Sequence, residues 1–510
     1  MQAKILWFKP RVRNNVEREM VKCIRLLRCV LVLATAGIGP QRADAQCATE
    51  ALNAAQSIDC MRTNQHPNHV ALLEGSHAYT LAELTNIAEI SNPATAIYWE
   101  RATQKAKELG IAESDYFPVL AAAATAGDLR FINPFPEALL PRGYSTVEVP
   151  FVTPEVSLQY LILDFGGRRG KIDQARAEQL AAGAQFVREN QLVAFEVAES
   201  FYQLATAEEG LEAAQQTLKT AEVTQEAAEA QLAYGRSTLP DVLNARAEAA
   251  QASFDLQSAI GDETIAHIRL SEAIGAEPSP DIQIELLKDE ALPKELTLSI
   301  DELIDRAVHS RPDLQSQVAE IRAAYAATRE AKSALLPTLS ISGTAGQTSE
   351  WPTADNGKLG AASVSTWSAS LNLRWTILDG GARKNRVQAE ESREREAQAR
   401  LRELHDETVR EVWSSYISFM TAVKKENSAV VLLAAANESY SASLDAYKFG
   451  VKNLIDVVTA ERQLAQARLS SVAARSELLT EAVNIEFVTG SLLRASPPLT
   501  TPTSAGEKHK

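Results

Sequence analysis

Asp241 and Asp456 stand 215 residues apart, and each follows a glycine by six positions, after Tyr234-Gly235 and Phe449-Gly450 respectively. A carboxylate just past a glycine turn, where a helical period begins, faces unpaired N–H groups and the positive end of the helix dipole. Pro240 beside Asp241 suits a helix start for a related reason: its missing N–H is no loss there. Other chemistry-bearing residues lead nowhere. Asp164-Phe165-Gly166 spells a kinase metal motif, but no glycine-rich phosphate loop, paired lysine or His-Arg-Asp accompanies it. Cys60, His66, His69 and His77 have a spacing that fits no standard zinc site. There is no hydrolase elbow, phosphate loop or dinucleotide fingerprint. The residues call for no metal and no cofactor, and they point away from an enzyme.

The same 215-residue offset governs much more of the chain. Asp241-Val242 returns as Asp456-Val457, Ala245 as Ala460, Gln251-Ala252 as Gln466-Ala467 and Gly275 as Gly490. Upstream, Glu196-Val197 and Ser200 return as Glu411-Val412 and Ser415. The chain is a duplicated unit, and the order of elements within the unit fixes the architecture. Each half opens with a helical pattern, about Leu81 to Ser114 and Ile300 to Leu335, interrupted at Asn92-Pro93 and Arg311-Pro312 and closed by Pro118 and Pro337.

After those prolines the period changes to two. Leu339, Ile341, Gly343 and Ala345 alternate with Ser340, Ser342 and Thr344. A polar segment follows from Gln347 to about Ser365. Trp367, Ala369, Leu371, Leu373, Trp375 and Ile377 then alternate with Ser368, Ser370, Asn372, Arg374 and Thr376. Half one repeats this with Leu120, Ala122 and Ala124, returning through Val156, Leu158, Tyr160 and Ile162 against Ser157 and Gln159. Segments of about ten residues suit a tilted strand crossing a bilayer. Trp367 and Trp375 would sit roughly 27 Å apart along a strand, as interfacial aromatics do. Arg374 and Asn372 suit a wet lumen, so the pattern favours a membrane β-barrel over a soluble sheet. Four strands per chain cannot close a barrel in lipid, where open edges are forbidden, so several chains must share one.

Each hairpin runs into a glycine pair, Gly166-Gly167 and Gly380-Gly381, suited to a sharp strand-to-helix turn. Proline-free helical runs follow, Gly167 to Tyr234 and Gly381 to Phe449, each long enough to span on the order of 100 Å. Turns at Gly235 and Gly450 send the chain back along second helices ending near Gly275 and Gly490, which read as C-cap glycines. Helices of this length imply coiled-coil packing.

The remaining segments are short. Residues 1–45 read as a signal peptide, with Lys22, Arg25 and Arg28 before the apolar Val30-Leu31-Val32-Leu33-Ala34 and Ala43-Asp44-Ala45 as the cleavage pattern; Met20 would be the true start. Nine basic and three acidic residues leave with it, taking the formal charge from −15 to −21, so nucleic acid is a poor partner. Cys47 and Cys60 would then meet an oxidising periplasm, where they could form a disulfide. Ala45-Gln46 does not supply the small residue a lipid-anchor site needs before Cys47. The expected division is signal peptide 1–45, N-terminal segment 46–77, first repeat 78–275, connector 276–299, second repeat 300–493 and a disordered tail 494–510.

A strand hairpin joined through glycines to paired coiled-coil helices, duplicated behind an export signal, resembles the TolC-like outer-membrane efflux proteins. The resemblance covers about residues 78–493. It rests on Asn92-Pro93, Leu163-Asp164-Phe165-Gly166-Gly167-Arg168, Leu378-Asp379-Gly380-Gly381-Ala382-Arg383 and the turn motifs Tyr234 to Leu243 and Phe449 to Val458. It implies a mixed fold: a homotrimer with a 12-stranded β-barrel in outer-membrane lipid and a long antiparallel α-helical tunnel in the periplasm. It also implies a periplasmic adaptor (membrane fusion) protein and an inner-membrane pump of RND or ABC type. The family closes its periplasmic entrance with an acid–tyrosine hydrogen bond and a basic–acidic link, whose positions fall on Asp241, Tyr447, Lys452 and Asp456. Lys452 stands where well-known members carry arginine, and lysine lacks the bidentate geometry. Thr459 stands where a second acid is frequent. The resemblance also makes Tyr234, Gly235, Arg236, Leu239, Phe449, Gly450, Val451 and Leu454 the adaptor-docking tips, although the family's frequent Val-Gly-Leu triplet is Tyr234-Gly235-Arg236 and Phe449-Gly450-Val451 here. Passive export of small molecules, metals or proteins is the function implied. A periplasmic coiled-coil scaffold without a pore is the rival reading, and helix capping or turn formation is the rival role for the aspartates and glycines.

Overall fold

The computed structural model describes residues 77–279, 282–285, 292–355 and 357–493, all within one compact unit that begins at Ala71. The signal peptide, Cys47, Cys60, most of the N-terminal segment, part of the connector and the tail from 494 lie outside the described residues.

The helices are α1 (Leu81–Ser91), α2 (Pro93–Ser114), α3 (Gly167–Ala233), α4 (Leu239–Ile274), α5 (Ile300–Ser310), α6 (Pro312–Ser333), α7 (Ala382–Lys448) and α8 (Leu454–Val488). The strands are β1 (Ala78–Tyr79), β2 (Val119–Pro134), β3 (Tyr144–Leu163), β4 (Gln283–Ile284), β5 (Thr338–Glu350), β6 (Thr353–Ala354), β7 (Gly357–Lys358) and β8 (Ala362–Arg374). Helix α1 starts on a capping box, with Thr80 accepting from the Glu83 N–H and Glu83 accepting from Thr80. Helix α5 repeats the device with Ser299 and Glu302.

The long helices pack as a ribbon in the order α4–α3–α8–α7 toward the glycine turns, and as α2–α3–α6–α7 toward the strands. One edge of the ribbon is therefore built by the first repeat and the other by the second. The sheet is built in the same order: β2–β3–β5–β8 are all antiparallel, with β2 and β8 outermost. The cores are small and repeated. One buries Leu84, Val197, Phe201, Leu204, Leu270 and Ile274, and its counterpart buries Leu303, Val412, Phe419, Leu478 and Ile485. Elsewhere alanines form the seams, such as Ala221 with Ala249 and Ala252.

A repeated lock joins each short helix pair to the end of its return helix. The Asn92 side-chain N–H donates to Ala273 O at 2.9 Å, and the Arg311 guanidinium donates to Val488 O at 3.4 Å. Both return helices end on left-handed glycines, Gly275 (φ 78°) and Gly490 (φ 70°). A Cβ on Gly275 would lie 2.7 Å from Asn92 Cα, and one on Gly490 would lie 3.0 Å from Arg311 Cα. These glycines serve close approach as well as helix termination.

Three details depart from the sequence reading. The strands are longer than ten residues, because the hydrogen-bond ladder continues through much of the polar stretch: β2 has 16 residues, β3 has 20, and β5 and β8 have 13 each. Trp375 lies just past β8, donating its indole N–H to Leu335 O at 3.2 Å. The glycine pairs are also not equivalent. Gly380 and Gly381 both have positive φ, whereas in half one the corresponding residues are Phe165 (φ 52°) and Gly166 (φ 96°). Gly167 is already helical, and a Cβ there would meet Ser333 Oγ at 2.8 Å.

Candidate functional site

The α3–α4 and α7–α8 turns lie at the same end of the ribbon. Each closes with the same backbone pattern. Gly235 N–H donates to Leu232 O at 2.9 Å and Arg236 N–H to Gln231 O at 2.8 Å; Gly450 N–H donates to Tyr447 O at 2.9 Å and Val451 N–H to Ala446 O at 2.8 Å. This pair of hydrogen bonds requires a left-handed residue between helix and turn, and Gly235 (φ 68°) and Gly450 (φ 76°) supply it with open space around them. The Gln231 side chain donates to Lys448 O at 3.0 Å and ties one hairpin end to the other. Beneath the turns Ala228, Val242, Ala245, Leu444, Tyr447, Leu454 and Val457 form a shared core.

The four gate candidates are distributed over this end. Asp241 caps its own helix: its carboxylate accepts from Thr238 N–H at 2.9 Å, Thr238 Oγ1 at 2.7 Å and Ser237 Oγ at 3.0 Å. The Thr238 hydroxyl and backbone bonds hold the Asp241 carboxyl below the ordinary range. Tyr447 is buried in the shared core, and its Oη has no hydrogen-bond partner. The acid–tyrosine bond is therefore absent from this structure. Lys452 Nζ donates to Ser443 Oγ at 3.1 Å within its own hairpin, and it makes no basic–acidic link among the described residues. Asp456 leaves its carboxylate exposed at the turn surface, while its N–H is capped by Asn453 Oδ1 at 3.0 Å.

The docking residues divide. Tyr234, Leu239, Phe449 and Val451 are exposed at 78%, 59%, 83% and 80%, and Gly235, Arg236 and Gly450 are exposed with them. Leu454 corrects the expectation. It is the first residue of α8, its side chain turns back into the shared core, and only 3% of it is exposed. Ile455, one residue on, projects outward instead at 67%. A helix rotates successive side chains by about a third of a turn or less, so neighbours at the edge of a packed face take opposite fates.

At the other end, side chains that the sequence reading left without a role hold the strands on the helices. Asp164 accepts from the Arg168 N–H at 2.5 Å, and the Arg168 guanidinium donates to Ile162 O at 3.1 Å and Asp115 O at 3.4 Å. In half two Asp379 accepts from the Arg383 N–H at 3.1 Å and Nε at 2.7 Å. Arg383 also donates to Ala334 O at 3.1 Å and to Thr376 O. Each Asp–Arg pair thus joins the end of a strand, the start of a long helix and the end of a short helix. The signal for it was present: both aspartates precede their arginines by four residues at the repeated turn.

The sheet sorts its side chains by face. Val156, Ala345 and Trp367 share a face with Tyr160, Ile341 and Leu371. Gln159, Ser342 and Ser370 share the other with Ser157, Thr344 and Ser368, and hydroxyls bond across it at 2.8 Å in the Ser342–Ser370 and Thr344–Ser368 pairs. No metal-holding group of acidic, histidine or cysteine side chains occurs among the described residues. His77 instead lies edge-on to Tyr79 at 4.6 Å, with Glu83 3.6 Å from its Nε2. No described helix is long and apolar enough to cross a membrane.

Known proteins share this arrangement. Protein CyaE of Bordetella pertussis is 25% identical over 420 residues, spanning 82% of this chain and 85% of that one. The outer membrane protein VceC of Vibrio cholerae superposes with a TM-score of 0.67 at 20% identity, covering 80% of this chain and 96% of that one. The CmeC outer membrane channel of Campylobacter jejuni gives 0.68 at 17% identity, covering 82% and 87%. The outer membrane efflux protein family model matches residues 93–276 and 303–491, one segment in each repeat. With both repeats matched, the chain belongs to the outer membrane efflux protein family, and it is an exit duct of the outer membrane with its helices in the periplasm.

Proposed function

We propose that three copies of this chain close side by side into one 12-stranded barrel and one helical tunnel, through which cargo leaves passively. The observation that carries this reading is the pair of open edges. One edge is first-repeat throughout, in β2, α2 and α4, and the other is second-repeat throughout, in β8 and α7. An edge of unpaired strand cannot stand in lipid, so β2 of one copy meets β8 of the next. The apolar face with Tyr160, Ile341 and Leu371 turns to lipid, and the hydroxyl face lines the lumen.

The same closure brings α4 of one copy against α7 of another. Phe254 and Val431, both 68% exposed, each lie 19 residues from their own glycine turn (Gly235 to Phe254, Val431 to Gly450). They face each other across the joint. A Phe254→Cys, Val431→Cys variant in the outer membrane should crosslink to a ladder ending at the trimer under mild oxidation, with neither single variant doing so. Uncrosslinked monomer under the same conditions would sink this assembly.

The exposed turns are the docking surface for a periplasmic adaptor, which joins the duct to an RND or ABC pump in the inner membrane. Drug, metal or protein cargo is chosen by that pump. Asp241, Tyr447, Lys452 and Asp456 regulate the entrance between the copies. Asp456 fits this role best because its carboxylate is exposed at the turn surface.

A further inference from the structure

A buried carboxylic acid bridges the two hairpins above the turns, and neither capping nor docking uses it. Glu461 on α8 is 5% exposed, and Thr224 on α3, which faces it, is 1% exposed. Thr224 Oγ1 lies 2.7 Å from Glu461 Oε2, 3.1 Å from Thr220 O and 3.3 Å from the Tyr440 hydroxyl of α7. The Tyr440 hydroxyl also reaches Thr220 O at 3.3 Å. Each residue of the bridge is ten or eleven positions from its glycine turn (Thr224 to Gly235, Tyr440 to Gly450, Gly450 to Glu461).

Proton counting separates two states of this cluster. The threonine hydroxyl has one hydrogen. If Glu461 is neutral, its O–H donates to Thr224 Oγ1 and the threonine donates onward to Thr220 O, so both groups are satisfied. If Glu461 is ionised, the threonine turns its hydrogen to the carboxylate, and Thr220 O keeps the longer bond from the Tyr440 hydroxyl at 3.3 Å. The charge would then be buried beside Tyr440, which itself packs on the apolar seam of Ala436, Leu464 and Ala467. The charged groups around it do not neutralise it. On α4, Glu248 repels it. On α8 itself, the Arg462 guanidinium is engaged by Glu248, and Arg468 points to Thr217 and Thr220 on α3. The repeat makes the choice conspicuous: the first-half equivalent of Glu461 is Arg246, which is exposed and paired with Glu229 at 2.9 Å.

We propose that Glu461 is a proton-operated latch between the two hairpins, holding them together as a neutral acid and releasing them as a carboxylate. The latch rests on the duct reading above, since it regulates that duct's entrance. Burial raises the Glu461 pKa above its ordinary 4.5, with the nearby Glu248 charge adding to the effect and Thr224 and Arg462 opposing it. The packed hairpins therefore bind the proton more tightly than separated ones. Packing is fully favoured below the ordinary value and is lost as pH rises through the raised one.

The test uses the full-length protein in planar bilayers from about pH 5 to about pH 8, with Glu461→Gln as the neutral partner. The parent should open more often as pH rises, by about tenfold across each pH unit between the ordinary and the raised value. Glu461→Gln should stay closed, varying less than about twofold over the range. Spin labels at Arg236 and Val451 should move apart with pH in the parent alone. An unchanged pH response in Glu461→Gln would overturn the latch and leave the duct standing. No conductance from either protein at any pH, although both insert, would overturn the duct reading and the latch with it.

Discussion

Asp241 and Tyr447 show how differently two residues at one site can be engaged. Asp241 has three hydrogen bonds to its own helix start, so truncating it costs a cap worth about 1 kcal/mol. Tyr447 has a buried hydroxyl with no partner, so Tyr447→Phe removes no bond and relieves an unsatisfied group. Asp241→Ala should therefore lower thermal stability modestly and Tyr447→Phe should not. If the pair also closes the entrance when the copies assemble, the double variant should raise single-channel conductance well beyond either single. Unchanged conductance would remove these two residues from the gate and leave only the cap. The glycines divide in a comparable way. Gly235 and Gly450 need only their left-handed backbone, whereas Gly275 and Gly490 also need the missing Cβ, because the Asn92 and Arg311 backbones lie against them.

Among the elements, the α5–α6 corner holds a buried, paired arginine. Arg311 has a side chain only 3% exposed, held by Asp313 at 2.6 Å and Glu411 at 2.5 Å, with Arg188 stacked 3.9 Å over Phe487 beside it. Burial works to raise the Asp313 pKa, but the Arg311 hydrogen bonds and charge outweigh it and hold the carboxyl below its ordinary 3.8. A depressed carboxylate contributes stability above its ordinary value, and that contribution is lost as pH falls through the lowered one. Asp313→Asn should thus destabilise the protein at neutral pH, by up to about 3–5 kcal/mol, since it strips a partner from a buried cation. The deficit should shrink as pH drops below the ordinary carboxylate value. A deficit of equal size at neutral and acid pH would show that packing, not charge, holds the corner. The Asp164–Arg168 and Asp379–Arg383 clamps perform the neighbouring task at the strand ends, fixing the sheet to the helical ribbon in both repeats.

On the scale of the molecule, the ribbon ends in a surface of exposed large side chains: Tyr234, Phe449, Val451 and Ile455. Tyr234, Phe449 and Val451 sit at turns closed by several backbone hydrogen bonds and Ile455 in the first turn of α8, so the surface is organised before any partner arrives. A photoreactive residue in place of Val451 should capture an adaptor in the native host. An adaptor of a proton-driven pump would assign drug or metal efflux, and one of an ATP-driven transporter would assign protein secretion. Replacing Leu454 in the same way should capture nothing, because that side chain lies inside the shared core. Capture through Leu454 but not Val451 would mean that the turns unfold on docking.

The sequence by itself determined the duplication, the change of period from helix to strand, and the turns at Gly166, Gly235, Gly275 and their counterparts. These are local matters: periods of 3.6 and 2, and the backbone freedom of glycine, are written within a few neighbouring residues. It also carried the two faces of the sheet, because alternation along one strand fixes which side chains stand together once strands pair. Only the tertiary structure decided that Leu454 is buried while Ile455 is not, that Asp241 caps instead of reaching Tyr447, and that Phe165 takes a left-handed backbone where half two has glycine. The same holds for the Asn92–Ala273 lock and the burial of Glu461 against Thr224. Those contacts join residues 181 and 237 positions apart. Which side chain meets which at that separation is set by how the two hairpins pack, and no local pattern records it.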